Sequence, residues 1–355
     1  MNEFDLVNQA RPDVPPYDPG TKAMARDQLV AAGRKRFAWR KPYTFAVAGA
    51  LALAVGVGAA VFLPAETPRV SPRQSAPVAL PKIALMSAEQ VFDRAAGAAV
   101  EELEPRDDQY VVTESQTMYT AQSLGEDTEE RWLYRTKRKI WLRADGEKDA
   151  QGRDGVLQIE TIDPVAYPGW EIPKKAYEEK GVEVMPLTSC GTRGPWSKDY
   201  ATLKQLPTEA EAMKAWLYKT FPGNGDKQIP AEFAVWDGAS ELLRESYMPP
   251  AQRAALFKAL GTLPGITVTE GAEDAAGRKG LGVGGVWRGQ RSELIIDGEN
   301  YALLGERSVV VDEKAAGAPV GSLLASTAQL KVSVSDTAPD APVTSKEDCS
   351  QSQGG

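Results

Sequence analysis

The sequence predicts an α+β fold: an N-terminal transmembrane helix, then an extracytoplasmic curved antiparallel sheet covered by helices. Three observations predict it. A run of 21 uncharged residues extends from Tyr43 to Leu63. Beyond it, residues 109–162 and 266–311 alternate apolar and polar side chains with the period of half-buried strands. Residues 88–103, 208–221 and 234–260 instead carry apolar stripes at helical spacing, suited to covering a sheet face.

The first 42 residues hold eight Lys/Arg and five Asp/Glu, a balance of +3. Pro12, Pro15, Pro16 and Pro19 break any early helix, and a short helix reads from Thr21 to Ala32 with Gly33 as its stop. This piece is too small to bury a core of its own. The uncharged run that follows matches the length of about 20 apolar residues needed to cross a hydrocarbon core. Arg34, Lys35, Arg36, Arg40 and Lys41 precede it, and only Arg69 and Arg73 lie close behind. The bias of basic residues toward the cytoplasm therefore places the N-terminus inside and the rest of the chain outside. A cleaved signal would need an n-region of more than 40 residues, and no lipid-anchoring cysteine follows. The expected organisation is a cytoplasmic segment at 1–42, a membrane helix at 43–63, a Pro-rich spacer at 64–86, an outer domain at 87–335 and a polar tail at 336–355.

The outer domain opens with Ser87, Glu89 and Gln90, a helix N-cap with acid in its first turn. The following helix should face inward with Val91, Ala95, Ala98 and Ala99. Next come a strand from Gln109, two strands around Trp132 to Arg143 and a strand beginning at Gly155, with Asp145-Gly146 as a turn. Residues 164–201 are rich in Pro and Gly and carry no clear period. Thr208 and Glu211 have the spacing of a capping box, and helices follow at Ala234–Glu245 and Pro250–Leu260. Four strands then run from Gly265 to Val311, with a tight Asp297-Gly298 hairpin, and a last one includes residues 330–336.

Composition excludes several chemistries. The formal net charge is −8 with no histidine, which removes His-based triads, the usual zinc sites and the common pH switch. Nucleic acid is not an expected partner, because the outer part is acidic and phosphates need a basic face. The acidic pairs Glu101-Glu102, Glu129-Glu130 and Glu178-Glu179 read as solvated surface. The glycine run Gly280–Gly289 lacks the Lys-Ser/Thr and the helix of a phosphate loop, and it reads as a bent strand. No catalytic, metal-ligating or cofactor-binding set emerges, and no cofactor is expected. The two cysteines, Cys190 and Cys349, both fall on the expected oxidising side, where one disulfide pins the tail to the loop around Cys190; two free thiols are the alternative. Aromatic side chains are mostly core, and Trp132, Tyr134 and Trp141 are the candidates for lining a ligand groove.

Several blocks together resemble an actinobacterial family of uncharacterised single-pass membrane proteins. They are Ala10-Arg11-Pro12-Asp13-Val14-Pro15, the basic run before the membrane helix, the segment from Ser87 to Ala96, Leu206-Pro207-Thr208 and Leu242 to Ser246. Pro249 to Leu256, Leu263 to Ile266, Asp274 to Arg278 and Leu303 to Glu306 complete the resemblance, which covers nearly the whole chain. It implies association with extracytoplasmic-function sigma factors. A zinc anti-sigma domain needs His and Cys, and residues 1–42 have neither. The element order is also similar to the lipoprotein-carrier (LolA/RseB-like) half-barrel, which implies a sheet that shelters an apolar ligand. The resulting expectation is a membrane-anchored, non-catalytic binding or sensing module for an apolar envelope ligand or a protein partner. A carboxylate-based envelope hydrolase and a purely structural envelope protein stay open as alternatives.

Overall fold

The computed structural model describes residues 80–98, 102–124, 129–178, 180–188, 197–223 and 230–341. All of these except Leu124 belong to one of the chain's two compact units. The segment 1–42, the run at 43–63, both cysteines and the tail beyond Ala341 lie outside the described residues. Among the described residues no helix is long and apolar enough to cross a membrane.

The domain is α+β, with one open antiparallel sheet of ten strands and helices. In chain order the elements are β1 (Lys82–Ile83), α1 (Ala88–Gly97), β2 (Tyr110–Leu124), β3 (Glu129–Arg143), β4 (Gly155–Ala166), a 3-10 turn (Lys174–Tyr177) and β5 (Gly181–Leu187). Then follow α2 (Tyr200–Lys204), α3 (Ala210–Thr220), α4 (Ala231–Leu243), α5 (Pro250–Gly261), β6 (Thr267–Glu273), β7 (Lys279–Trp287), β8 (Gln290–Ile296), β9 (Leu303–Val310), α6 (Glu313–Ala316) and β10 (Leu323–Ser335). The strand order is β1-β6-β7-β8-β9-β10-β2-β3-β4-β5. Two meanders, β2–β5 and β6–β10, are thus joined where the last strand pairs with β2.

Helix α1 begins as its sequence dictates. Ser87 Oγ accepts from the Gln90 amide at 3.2 Å, and Gln90 Oε1 accepts from the Ser87 amide at 3.0 Å. The helix stops at Gly97 rather than 103, because Gly97 is a poor helix residue and Ala98 turns extended. Its inward face is Val91, Phe92 and Ala95, with Phe92 in place of the expected Ala98. Around Trp132 to Arg143 there is one strand, not two. Nothing between Glu129 and Arg143 is Gly, Pro, Asn or Asp, and a register shift between Leu133 and Arg135 absorbs the irregularity instead. The expected Thr208 capping box is not formed: Glu209 is the N-cap of α3, without a side-chain bond. The Asp297-Gly298 hairpin is a longer turn, because the Asp297 carboxylate accepts from the amides of Glu299 at 2.8 Å and Asn300 at 3.1 Å.

The main core lies between helices α1, α3, α4 and α5 and the β6–β8 part of the sheet. Phe92 stacks on Phe257 at 5.5 Å, and Trp236 and Leu260 meet Val268, Val283, Leu294 and Ile296 of the strands. The helices therefore cover the β6–β8 half. The β2–β5 half buries smaller clusters, one of them closed by Ala338 and Ala341 of the chain beyond β10.

Two hairpins share a turn with the pattern Asp-Ala-x-Gly-Arg, Asp149–Arg153 between β3 and β4 and Asp274–Arg278 between β6 and β7. In each, the first carboxylate accepts backbone amides two and four residues on, and glycine takes a positive φ, 79° at Gly152 and 83° at Gly277. The arginine then pairs with that carboxylate and reaches distant carbonyls. Arg153 donates to Pro339 at 3.0 Å, and Arg278 to Leu304 at 2.8 Å and Gln329 at 2.9 Å. The Gln329 carbonyl stands at a bulge of β10.

Burial opposes ionisation of Asp149, but the hydrogen bonds from Arg153 and Tyr110 override it and hold the carboxyl below its ordinary value. A group lowered in this way contributes stability above its unfolded pKa, and loses it as pH falls through the folded one. Asp149→Asn is expected to cost about 1.5–3 kcal/mol at pH 7 and to flatten the loss of stability below about pH 4. Urea denaturation across pH checks both; an unchanged acid limb would contradict the assignment.

Candidate functional site

Strand register lines up a row of residues across one face of the sheet. Gly284 of β7 pairs with Glu293 of β8, Glu293 with Arg307 of β9, Arg307 with Ser326 of β10 and Ser326 with Met118 of β2. Directly paired residues point the same way. The neighbouring row, Val283-Leu294-Glu306-Thr327-Thr117, faces the helices, since Val283 and Leu294 belong to the core beneath them. The first row therefore lies on the opposite face.

A cleft of about 260 Å³ opens at the β10–β2 end of this row. Its apolar wall is Met118, Ile162, Val165 and Leu323, and its polar groups include Gln116, Arg135 and Ser326. The β6–β7 turn forms a rim with Asp274 and Ala275, held by the Ala275 amide donating to Thr327 O at 3.2 Å. Ser326 is 2% exposed, and its Oγ has no hydrogen-bond partner among the described residues. A buried hydroxyl without a partner carries a desolvation cost that a bound group would relieve. Arg135, half-buried, makes no ion pair or side-chain hydrogen bond among the described residues. Asp274 is spent: its carboxylate holds two backbone amides and Arg278.

Farther along the row sits a buried charge cluster. Glu293 accepts from Arg291 Nε at 2.5 Å, Arg307 Nε at 2.7 Å and Thr269 Oγ1 at 2.5 Å. Two guanidiniums answer one carboxylate, leaving one positive charge beside Ser326. Gly282 makes room for it: a Cβ there would stand 2.6 Å from Thr269 Oγ1 and 2.7 Å from the Glu293 carboxyl.

On the helix-facing side, a polar seam joins the α4 end to the sheet. Arg244 bridges Glu306 at 2.6 Å and Glu241, and stands over the Tyr119 ring at 5.9 Å. Glu245, in the left-handed region at φ 53°, accepts from Ser115 Oγ at 2.5 Å and lies 2.9 Å from Arg138 Nε. Burial raises the Glu306 carboxyl against the pull of Arg244, and burial also raises the Tyr119 hydroxyl. Glu241, Glu245 and Glu306 are each committed to a guanidinium, so this seam ties layers together.

The expected groove residues stand elsewhere. Trp132 and Tyr134 share a cluster with Ala121, Ala176 and Ile172, with Lys175 over the Trp132 ring. Trp141 packs in a different cluster with Tyr110, Val112, Val156 and Ala341. None of the three lines the cleft. Sequence reasoning missed Gln116, Met118, Arg135 and Ser326. Arg135 sits in a run of alternating charged residues and reads as wet face, and Ser326 differs in no local way from its neighbours.

No family profile and no curated protein sequence matches the chain. Among solved structures, a LolA superfamily protein from Nitrosomonas europaea aligns over 64% of this chain and 73% of that one, at 10% identity and a TM-score of 0.15. A likeness that slight carries neither the fold nor a function.

Proposed function

We propose that the chain is a membrane-tethered binding module whose outer domain holds an apolar or amphiphilic envelope ligand and releases it unchanged. The cleft carries this reading: four apolar side chains line it together with Ser326, a buried hydroxyl without a hydrogen-bond partner among the described residues. At about 260 Å³ it lies just below the roughly 300–1,000 Å³ usual for small-molecule sites. The uncharged run at 43–63 and the basic residues before it support the tether and its orientation.

Photolabelling of the full chain in lipid nanodiscs with a diazirine-bearing alkyl probe tests this. Adducts are expected at 116–118, 162–165 and 323–326, and Ala275→Trp, which fills the rim, should suppress them. Adducts confined to 43–63, or unaffected by Ala275→Trp, overturn the reading.

A further inference from the structure

From the polar end of the cleft we infer that its ligand carries a single carboxylate, set at Arg135 and Ser326, with a short apolar chain along Met118, Ile162 and Val165. The inference rests on the binding reading above and adds the head group.

Three independent features agree on an anion. Arg135 brings to the cleft a guanidinium that pairs with no carboxylate among the described residues. Ser326 brings a buried hydroxyl with no hydrogen-bond partner among the described residues. Arg307, paired directly with Ser326, belongs to a cluster that keeps one uncompensated positive charge, and interactions of such charges strengthen away from water. The rim carboxylate Asp274 does not cancel these charges, because Arg278 already neutralises it at 2.6 Å. This local positive balance sits in a chain of net charge −8, so it is not a general surface property.

The chemistry narrows further. A guanidinium presents a planar fork that matches the two oxygens of a carboxylate, and a serine hydroxyl donates one further bond. Gln116, whose side chain makes no hydrogen bond among the described residues, adds an amide donor on the same lining. The volume admits a head group and only a few carbons. The carboxylate belongs to a free short-chain acid or to the end of a larger molecule.

Competition against the diazirine probe in the same nanodiscs decides. Hexanoate, hexanol and hexylamine are compared as competitors, with dodecanoate as a longer acid. Hexanoate is expected to compete at least tenfold better than hexanol and better still than hexylamine. Dodecanoate competing much better than hexanoate marks the end of a longer molecule, and equal competition marks a short free acid. Arg135→Gln should erase the preference for acid over alcohol, whereas Arg135→Lys keeps part of it and Ser326→Ala weakens it. Should Arg135→Gln melt early, the wild-type ranking still decides. Equal competition by acid, alcohol and amine overturns the carboxylate while the cleft labelling stands. Loss of the cleft labelling itself overturns both.

Discussion

Glu293→Ala is expected to lower stability by about 3–5 kcal/mol, the cost of removing one partner from a buried ion pair. The side chain is fully buried, and it is the carboxylate partner of both Arg291 and Arg307, which are 7% and 3% exposed. Without it two guanidiniums remain inside the sheet with no other carboxylate partner among the described residues. Arg291 keeps bonds to Thr267, from Nη1 to Oγ1 and from Nη2 to the carbonyl, both at 2.8 Å, so the larger share of the penalty falls on Arg307. Urea denaturation measures the loss as a fall in midpoint at constant slope. Replacing the three together, Glu293→Leu with Arg291→Met and Arg307→Met, should be near neutral or stabilising, since the desolvation cost of the charges then disappears. A single variant as stable as the parent would show that water reaches the cluster.

Trp236→Ala should cost a similar amount, about 3–5 kcal/mol, by leaving a cavity at the centre of the helix–sheet core. Trp236 is 1% exposed, lies 6.5 Å from Phe92 and 5.9 Å from Trp287 between ring centroids, and donates from Nε1 to Ser292 Oγ at 3.4 Å. The surrounding rings come from α1 and β7, so they cannot collapse into the space without moving both layers. Trp236→Phe keeps much of the volume and loses only a long hydrogen bond, and it should cost clearly less. Thermal unfolding of both variants checks the order. Equal losses would assign the effect to the hydrogen bond.

Neither of these residues is marked by its local sequence as more important than its neighbours. Trp236 lies on an apolar helix and is legible as core. Glu293 lies in an alternating strand, in the segment Arg291-Ser292-Glu293-Leu294, where it reads as a solvated charge beside an inward leucine. It is nonetheless buried, and Arg307, fourteen residues on, donates to the same carboxylate.

What the sequence determined alone follows from short-range physics. Periods of 3.6 and 2 separate α1, α4 and α5 from β2, β4 and β6–β9, because a helix or strand must turn its apolar side to one face. The Ser87–Gln90 cap and the Pro250 helix start are local backbone chemistry, and both appear as written. The glycine run is strand up to Trp287 for a local reason too: β-spaced Val283 and Trp287 continue through it. Its glycines are explained only by the neighbours, since a Cβ at Gly284 would overlap the Ser292 carbonyl oxygen. The tertiary structure decided everything that depends on pairing across long stretches of chain. The junction of β10 with β2 sets Ser326 beside Met118, and α1, α3, α4 and α5 settle on the β6–β8 half of the sheet. Alternation tells which side chains share a face of one strand. It does not tell which strand comes next, nor what covers the face, and the cleft with its Arg135 and Ser326 exists only once both are settled.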